Sequence, residues 1–264
     1  MKRIQILALS LSILLLFGGC DKNGNINILS VEDDKKLGLQ VSQQIESTPA
    51  DYPLLSESTH PGAYTYIRGI TEKILNSGKL AYRNEFVWQV KIIHDDATLN
   101  AFCTPGGYIY VYTGLIKYLD SEDQLAGVMG HEIGHADLRH TSRQMTKQYG
   151  YETVIQAITG QQPGTLATIA LNLKTLANSR EFETEADAKS VDYLSQTTYA
   201  CNGAAGFFEK MIANGSAPTQ PQWLSTHPNP DNRVAAINTK ADQVGCSKNP
   251  LNPASYADFK ASLP

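Results

Sequence analysis

The chain has 264 residues, 42% of them hydrophobic and 18% charged, with a formal net charge of −4. That is long and apolar enough for one ordinary globular domain, and too apolar for a disordered chain. The negative balance gives no electrostatic footprint for DNA or RNA, so no nucleic-acid partner is expected.

Lys2 and Arg3 precede an apolar stretch from Ile4 to Phe17, which runs into Gly18, Gly19 and Cys20. As a helix this stretch would span about 21 Å, short of the roughly 30 Å hydrocarbon core of a bilayer. Residues 1–19 therefore read as a cleaved secretory signal rather than a permanent span. Phe17-Gly18-Gly19-Cys20 resembles the lipobox of bacterial lipoproteins, with Phe where Leu is usual, and the resemblance implies a lipid anchor on Cys20 and a membrane-attached, periplasm-facing place in the cell envelope. Loss of Lys2 and Arg3 with the leader takes the net charge from −4 to −6. Residues 20–30, polar around Asn23-Gly24-Asn25, read as a tether. The domain is expected over residues 31–245, with 246–264 as a C-terminal tail. Among the other cysteines no C-x-x-C pair occurs. Cys201 and Cys246 lie in turn contexts and form the candidate disulfide pair, whereas Cys103, among apolar neighbours, reads as a buried free thiol.

Ser30 predicts an N-cap, with Glu32, Asp33 and Asp34 in the first turn of a helix running to about Glu46, where Thr48-Pro49 stops it. A second helix is expected from about Ala63 to Leu75, with Tyr66, Ile67, Ile70 and Ile74 on one face. The period then becomes two: Phe86, Trp88, Val90 and Ile92 alternate with their neighbours, and Tyr108, Tyr110 and Tyr112 alternate with Ile109 and Val111. Thr104-Pro105-Gly106-Gly107 between them reads as a turn or bulge. From Ser121 the pattern is helical, broken at Gly150, 161–164, Asn202-Gly203, 214–221 and 228–230. Within it, Leu166, Ile169, Ala170, Leu173, Leu176 and Ala177 mark a stripe that suits core packing, with a lid or a membrane-contacting surface as the other readings. Early strands and late helices predict an α+β fold, mostly helical, with a small antiparallel sheet.

The chemistry centres on His131-Glu132-Ile133-Gly134-His135. At about 100° per residue the two His project from one helix face a turn apart, as two imidazoles on one tetrahedral zinc require, with Glu132 beside them to act on water. With six His in 264 residues, chance gives this pattern a probability of only ~0.006. A catalytic zinc needs a third protein ligand. In Arg180-Glu181-Phe182-Glu183-Thr184-Glu185-Ala186-Asp187, Glu183 and Asp187 share a face, so the first can bind zinc while the second orients a zinc-bound His. Glu181 and Glu185 fall on the far side and read as solvated. His140 lies about 180° around from His131 and cannot share the metal unless the helix breaks.

These motifs, with Asn100-Ala101-Phe102, Pro105 to Ile109, Thr113-Gly114-Leu115, Ser225-Thr226-His227-Pro228 and Arg233, resemble the gluzincins. Within them they resemble the zinc metallopeptidase family of HtpX and the CAAX prenyl proteases (metallopeptidase family forty-eight), in its lipoprotein or periplasmic branch without the helical-repeat extension. The resemblance implies a zincin fold with an active-site helix and one Zn2+ held by His131, His135 and Glu183. It also implies Glu132 as general base, Asp187 behind a ligand, and Gly107, Tyr108, Ile109 and Tyr110 on an edge strand that receives extended substrate. His227 would be a fourth ligand that keeps the enzyme latent, or an oxyanion donor. Arg233 would brace the His227 loop, or be a solvated helix charge. The implied activity is endopeptidase cleavage of unfolded or misassembled envelope polypeptides. A chaperone-like or binding envelope protein with a capped or structural zinc site is the alternative, and a zinc hydrolase acting on a non-peptide amide is a third reading.

Overall fold

A computed structural model describes residues 22, 27–214, 222–228, 232–250 and 254–264 of the chain. The expected signal, Cys20 and most of the tether lie outside the described residues. No described helix is long and apolar enough to cross a membrane.

Helix α1 (Val31–Glu46) starts as its sequence dictates: the Ser30 hydroxyl accepts from the Asp33 amide while Asp33 returns a bond to the Ser30 backbone. Its Leu37, Val41 and Ile45 are fully buried. Helix α2 (Pro61–Leu75) opens with Pro61, whose missing N–H costs nothing in a first turn. Strands β1 (Gln89–Ile93), β2 (Ala101–Thr104) and β3 (Tyr108–Tyr112) form one sheet in the order β1-β3-β2.

The sheet is mixed, not antiparallel as expected. β2 hairpins onto β3 through Pro105–Gly107, but β1 runs parallel to β3. The chain reverses once between β1 and β2 and again between β2 and β3, and two reversals restore the first direction. Sequence reading missed β2, whose short run lacks alternation because every residue in it is buried. The first strand is also shorter than its pattern, because Trp88 takes a left-handed backbone (φ 51°) and starts the ladder only at Gln89.

Period-two alternation does sort β3 between two cores. Tyr108, Tyr110 and Tyr112 pack with α1 and with α6 (Tyr151–Ile158) and α7 (Pro163–Asn172). Ile109 and Val111 join the larger core with α2 and α4 (Glu122–Asp137), which follows α3 (Thr113–Tyr118). The stripe on α7 is core packing: Ile169, Ala170, Leu173 and Leu176 are buried beneath α1, although Ala177 is exposed.

Helix α4 is buried on every side, with β2 on one flank and α8 (Arg180–Leu194) and α9 (Gly203–Ala213) on the other. Small residues allow this approach. A Cβ on Gly127 would lie 2.1 Å from the Ala204 backbone nitrogen, and one on Gly130 would lie 2.7 Å from Ser190 Oγ. Helix α4 ends at Asp137, and Arg139 adopts the left-handed conformation (φ 59°) before α5 (His140–Tyr149) begins. Arg139 is held by α1: its Nε donates to Asp34 Oδ2 and its Nη2 to the Leu29 carbonyl at 2.6 Å.

The fold closes with α10 (Trp223–Thr226), α11 (Arg233–Val244) and α12 (Ala254–Ala261). Cys201 and Cys246 are bridged, tying the start of α9 to the end of α11, and Cys103 is a buried free thiol. The expected tail is partly structural. Tyr256, Phe259 and Leu263 are buried in the larger core, and the Tyr256 hydroxyl donates to the Ile116 carbonyl, because their apolar spacing gives α12 a face to bury.

Candidate metal centre

Because α4 and α8 approach so closely, the residues that sequence spacing placed on separate helices meet. His131 and His135 project from α4, and Glu183 reaches them from the first turn of α8, whose start is fixed by the Ser179 hydroxyl accepting from the Phe182 amide. His227, following α10, completes the group: one ligand atom from each of the four residues lies within 4.8 Å of the others, and all four are buried. The Nε2 atoms of His131 and His135 are 2.9 Å apart, and each lies 3.3–3.4 Å from a Glu183 oxygen. His227 Nδ1 is 3.1 Å from Glu183 Oε1 and 3.3 Å from His131 Nε2. A tetrahedron with ~2.05 Å zinc bonds has edges of about 3.3 Å, so the donor set fits one zinc ion.

Two of the candidate ligands, His131 and Glu183, are braced from behind. His131 Nδ1 lies 2.8 Å from Asp187 Oδ1, which directs its Nε2 lone pair inward. Asp187 in turn accepts from Arg233 Nε at 2.7 Å and from Nη2 at 2.5 Å, while Nη1 of the same guanidinium lies 3.1 Å from Glu183 Oε2. Arg233 is thus a buried clamp on two carboxylates, not a solvated charge, and one of them, Glu183, is the carboxylate that faces His227 Nδ1. Its aliphatic neighbours in α11 gave no hint of this.

The helix break after α4 brings in His140, which the unbroken spacing had placed on the opposite side. Its Nδ1 lies 2.9 Å from His135 Nδ1, and its Nε2 lies 2.9 Å from Glu185 Oε2. Glu185, expected to be solvated, therefore has a buried partner, while Glu181 is exposed as expected.

Electrostatics follow from this packing. For His131, burial works against the charge, but the hydrogen bonds to Asp187 and Glu183 outweigh it and push its pKa up to about 9. Burial, reinforced by charge on His131, holds His135 well below its ordinary value. Burial also opposes ionisation of Glu183, yet His227 and His135 override it and keep the carboxyl well below the usual range. The Glu132 carboxyl is pushed up by burial, and its Oε1 has no hydrogen-bond partner. A buried carboxylate oxygen that accepts no hydrogen bond, 3.5 Å from His227 Nε2, is free to accept a proton.

Glu132, His135 and His227 line a cavity of about 20 Å³, with Phe102 and Cys103 of β2 on one wall and Leu176 on another. That is room for about one water. The expected substrate edge of Gly107, Tyr108, Ile109 and Tyr110 is corrected by the sheet order. β3 is the central strand with both edges paired, and the strand beside the cavity is β2.

The model of peptidase family M48 matches residues 61–241. The mitochondrial metalloendopeptidase OMA1 of Schizosaccharomyces pombe is 29% identical over 215 residues, 80% of this chain and 62% of that protein. The OMA1 of Arabidopsis thaliana is 34% identical over 143 residues, covering 53% and 29%. The beta-barrel assembly-enhancing protease of Escherichia coli is 30% identical over 186 residues, covering 64% and 36%. The chain thus spans less than two thirds of the length of each of these three relatives. None of the three bears the name of HtpX or a CAAX prenyl protease, so the similarity carries the family and not that narrower group.

Proposed function

The chain belongs to peptidase family M48, and from that premise we propose that it is a zinc-dependent endopeptidase whose ion is held by His131, His135 and Glu183. The observation that carries the reading is the inward convergence of these three donors beside Glu132, whose buried Oε1 accepts no hydrogen bond. Bound there, zinc would supply Lewis-acid polarisation of the scissile carbonyl and lower the pKa of a neighbouring water to about 7. Glu132 takes the proton from the attacking water and delivers it to the departing amine. Asp187 fixes the tautomer of His131, and Arg233 holds Asp187 and Glu183 in place. Extended substrate adds to the outer edge of β2, where main-chain pairing tolerates many sequences.

His227 supports a latent resting form. Its Nδ1 faces the ligand atoms while its Nε2 lies 3.5 Å from Glu132 Oε1, so the ring stands between the metal position and the base. Opening requires the imidazole to leave. The cellular role is drawn by analogy: with a lipobox-like leader, and relatives named as a beta-barrel assembly-enhancing protease and a mitochondrial metalloendopeptidase, the enzyme would be anchored through Cys20, face the periplasm and cleave unfolded or misassembled envelope polypeptides.

The test is zinc content and casein cleavage by the wild type and by Glu132→Gln. Stoichiometric zinc in both, with cleavage only in the wild type, is the expected result. Full cleavage by Glu132→Gln sinks the assignment, and the mass of the mature N-terminus decides lipidation of Cys20.

A further inference from the structure

We infer that His140 and Glu185 form a relay that fixes the tautomer and orientation of the ligand His135, making metal affinity depend on two residues outside the ligand set. The inference rests on the zinc reading above.

A neutral imidazole carries one proton. His135 must offer its Nε2 lone pair inward, toward His131 Nε2 at 2.9 Å and Glu183 Oε1 at 3.3 Å, so its proton sits on Nδ1. The acceptor for that proton is His140 Nδ1 at 2.9 Å, which must then hold a lone pair. The His140 proton is thereby placed on Nε2, where it donates to Glu185 Oε2 at 2.9 Å. Each assignment forces the next, and the carboxylate at the outer end, an acceptor only, sets the direction of the whole chain. Reversing it would aim a proton of His135 at the ligand cluster.

The rest of the packing holds this geometry. The His140 ring lies flat on Phe182, with centroids 4.2 Å apart and planes 2° from parallel, and the Arg143 guanidinium sits over the same Phe182 ring. His140 is fully buried, whereas the Glu185 side chain is 36% exposed, so the relay runs from the ligand to the protein surface. Its existence depends on the left-handed Arg139, anchored to Asp34 and Leu29, since a continuous helix would carry His140 away from His135. The two ligating imidazoles are therefore oriented differently: His131 by the buried Asp187–Arg233 pair, His135 through a second imidazole to a surface carboxylate.

The experiment measures zinc dissociation constants by competition with a chromogenic chelator, beside melting curves of the metal-free proteins. His140→Phe keeps a flat ring on Phe182 but removes the acceptor, and is expected to weaken zinc binding about 10–100-fold while the metal-free melting temperature stays near that of wild type. His140→Asn, whose Oδ1 can replace Nδ1 as acceptor, is expected to return to within about threefold of wild type. Glu185→Ala, at the surface and safe for folding, is expected to shift affinity in the same direction as His140→Phe. It carries the test if that variant does not fold. Wild-type affinity in His140→Phe, or equal weakness in the Asn and Phe variants, overturns the relay. Unchanged affinity in Glu185→Ala overturns its outer link, and a wild type that binds no zinc overturns the metal reading and the relay together.

Discussion

Replacing His227 by Ala should convert a closed enzyme into an open one, and the structure sets the size of the effect. The imidazole is 2% exposed, stacks on Trp223 with centroids 4.1 Å apart, and places Nδ1 3.1 Å from the Glu183 carboxylate. A stacked aromatic pair is worth about 0.5–1.5 kcal/mol, and a hydrogen bond to a charged group about 1.5–3 kcal/mol. Taking the low end of each, the closed form is favoured by about 2 kcal/mol, a bias of roughly 30-fold that divides the population able to accept substrate. His227→Ala is therefore expected to raise kcat/KM on an unstructured fluorogenic peptide about 30-fold, with KM falling more than kcat rises, because the gain is in access rather than chemistry. Zinc content must be measured on the same samples, since three ligands remain. A variant that keeps full zinc occupancy and shows no increase in kcat/KM refutes His227 as the barrier.

Arg233→Met removes the charge while preserving length, and strands Asp187 and Glu183 without their cation; breaking a buried pair in this way costs about 3–5 kcal/mol, which a thermal scan should read as a fall of roughly 6–20 °C. A drop of only a degree or two contradicts the clamp. The Cys201–Cys246 bridge spans a sequence separation of 45, for which chain entropy gives about 4 kcal/mol, so the double Ser variant should lose about 2–4 kcal/mol in urea unfolding, and an unmoved midpoint counts against it. The metal-free protein should be most stable near pH 6.5. His131, raised to about 9 when folded, contributes stability that is lost as pH rises from 6.5 through 9; His140, lowered to about 3 by burial, and His135, also lowered, stay neutral while the unfolded chain protonates, so stability falls below pH 6.5 by up to about 1.4 kcal/mol per unit for each. Unfolding midpoints of chelated protein from pH 5 to 9 check both limbs, and a flat profile refutes them.

Local signals were legible in the sequence wherever one side chain and its near neighbours decide the outcome. Ser30 caps α1 because a hydroxyl three residues before an amide needs nothing distant, and the two His of α4 face one way because helix geometry alone puts them there. What failed was decided by partners far along the chain. The direction of β1 depends on β2, a strand whose four buried residues carry no alternation. The identity of the edge strand beside the site follows from the sheet order, and no periodicity encodes which strand ends up central. The approach of His140 to His135 could not be read from spacing, because the break at Arg139 on which it depends is held by Asp34 and Leu29, over a hundred residues away, and no Gly or Pro announces it. For Arg233 the sequence left open a brace of the His227 loop and a solvated helix charge, because its two carboxylate partners lie on α8, about fifty residues away.

These distant partners also explain how α4 can be buried throughout while carrying Glu122, Asp123, His131, Glu132, His135 and Asp137. Each polar group on a buried helix must be matched from outside it. Asp137 receives the amides of Ala81 and Tyr82 and the hydroxyl of Tyr193; Glu122 receives the hydroxyls of Tyr66 and Tyr199; Asp123 receives the amide of Ala200. In the middle of the helix the outer nitrogens have partners, Asp187 for His131 and His140 for His135, while the two inner nitrogens face each other at 2.9 Å with Glu183 beside both. Two acceptors that close repel unless a proton or a cation lies between them. Without metal, the proton is carried by His131, whose pKa is raised, and zinc bound at Nε2 would have to displace it. On the zinc reading the same centre would serve folding as an ion-paired histidine and catalysis as a metal site, and the exchange between the two would release a proton to solvent.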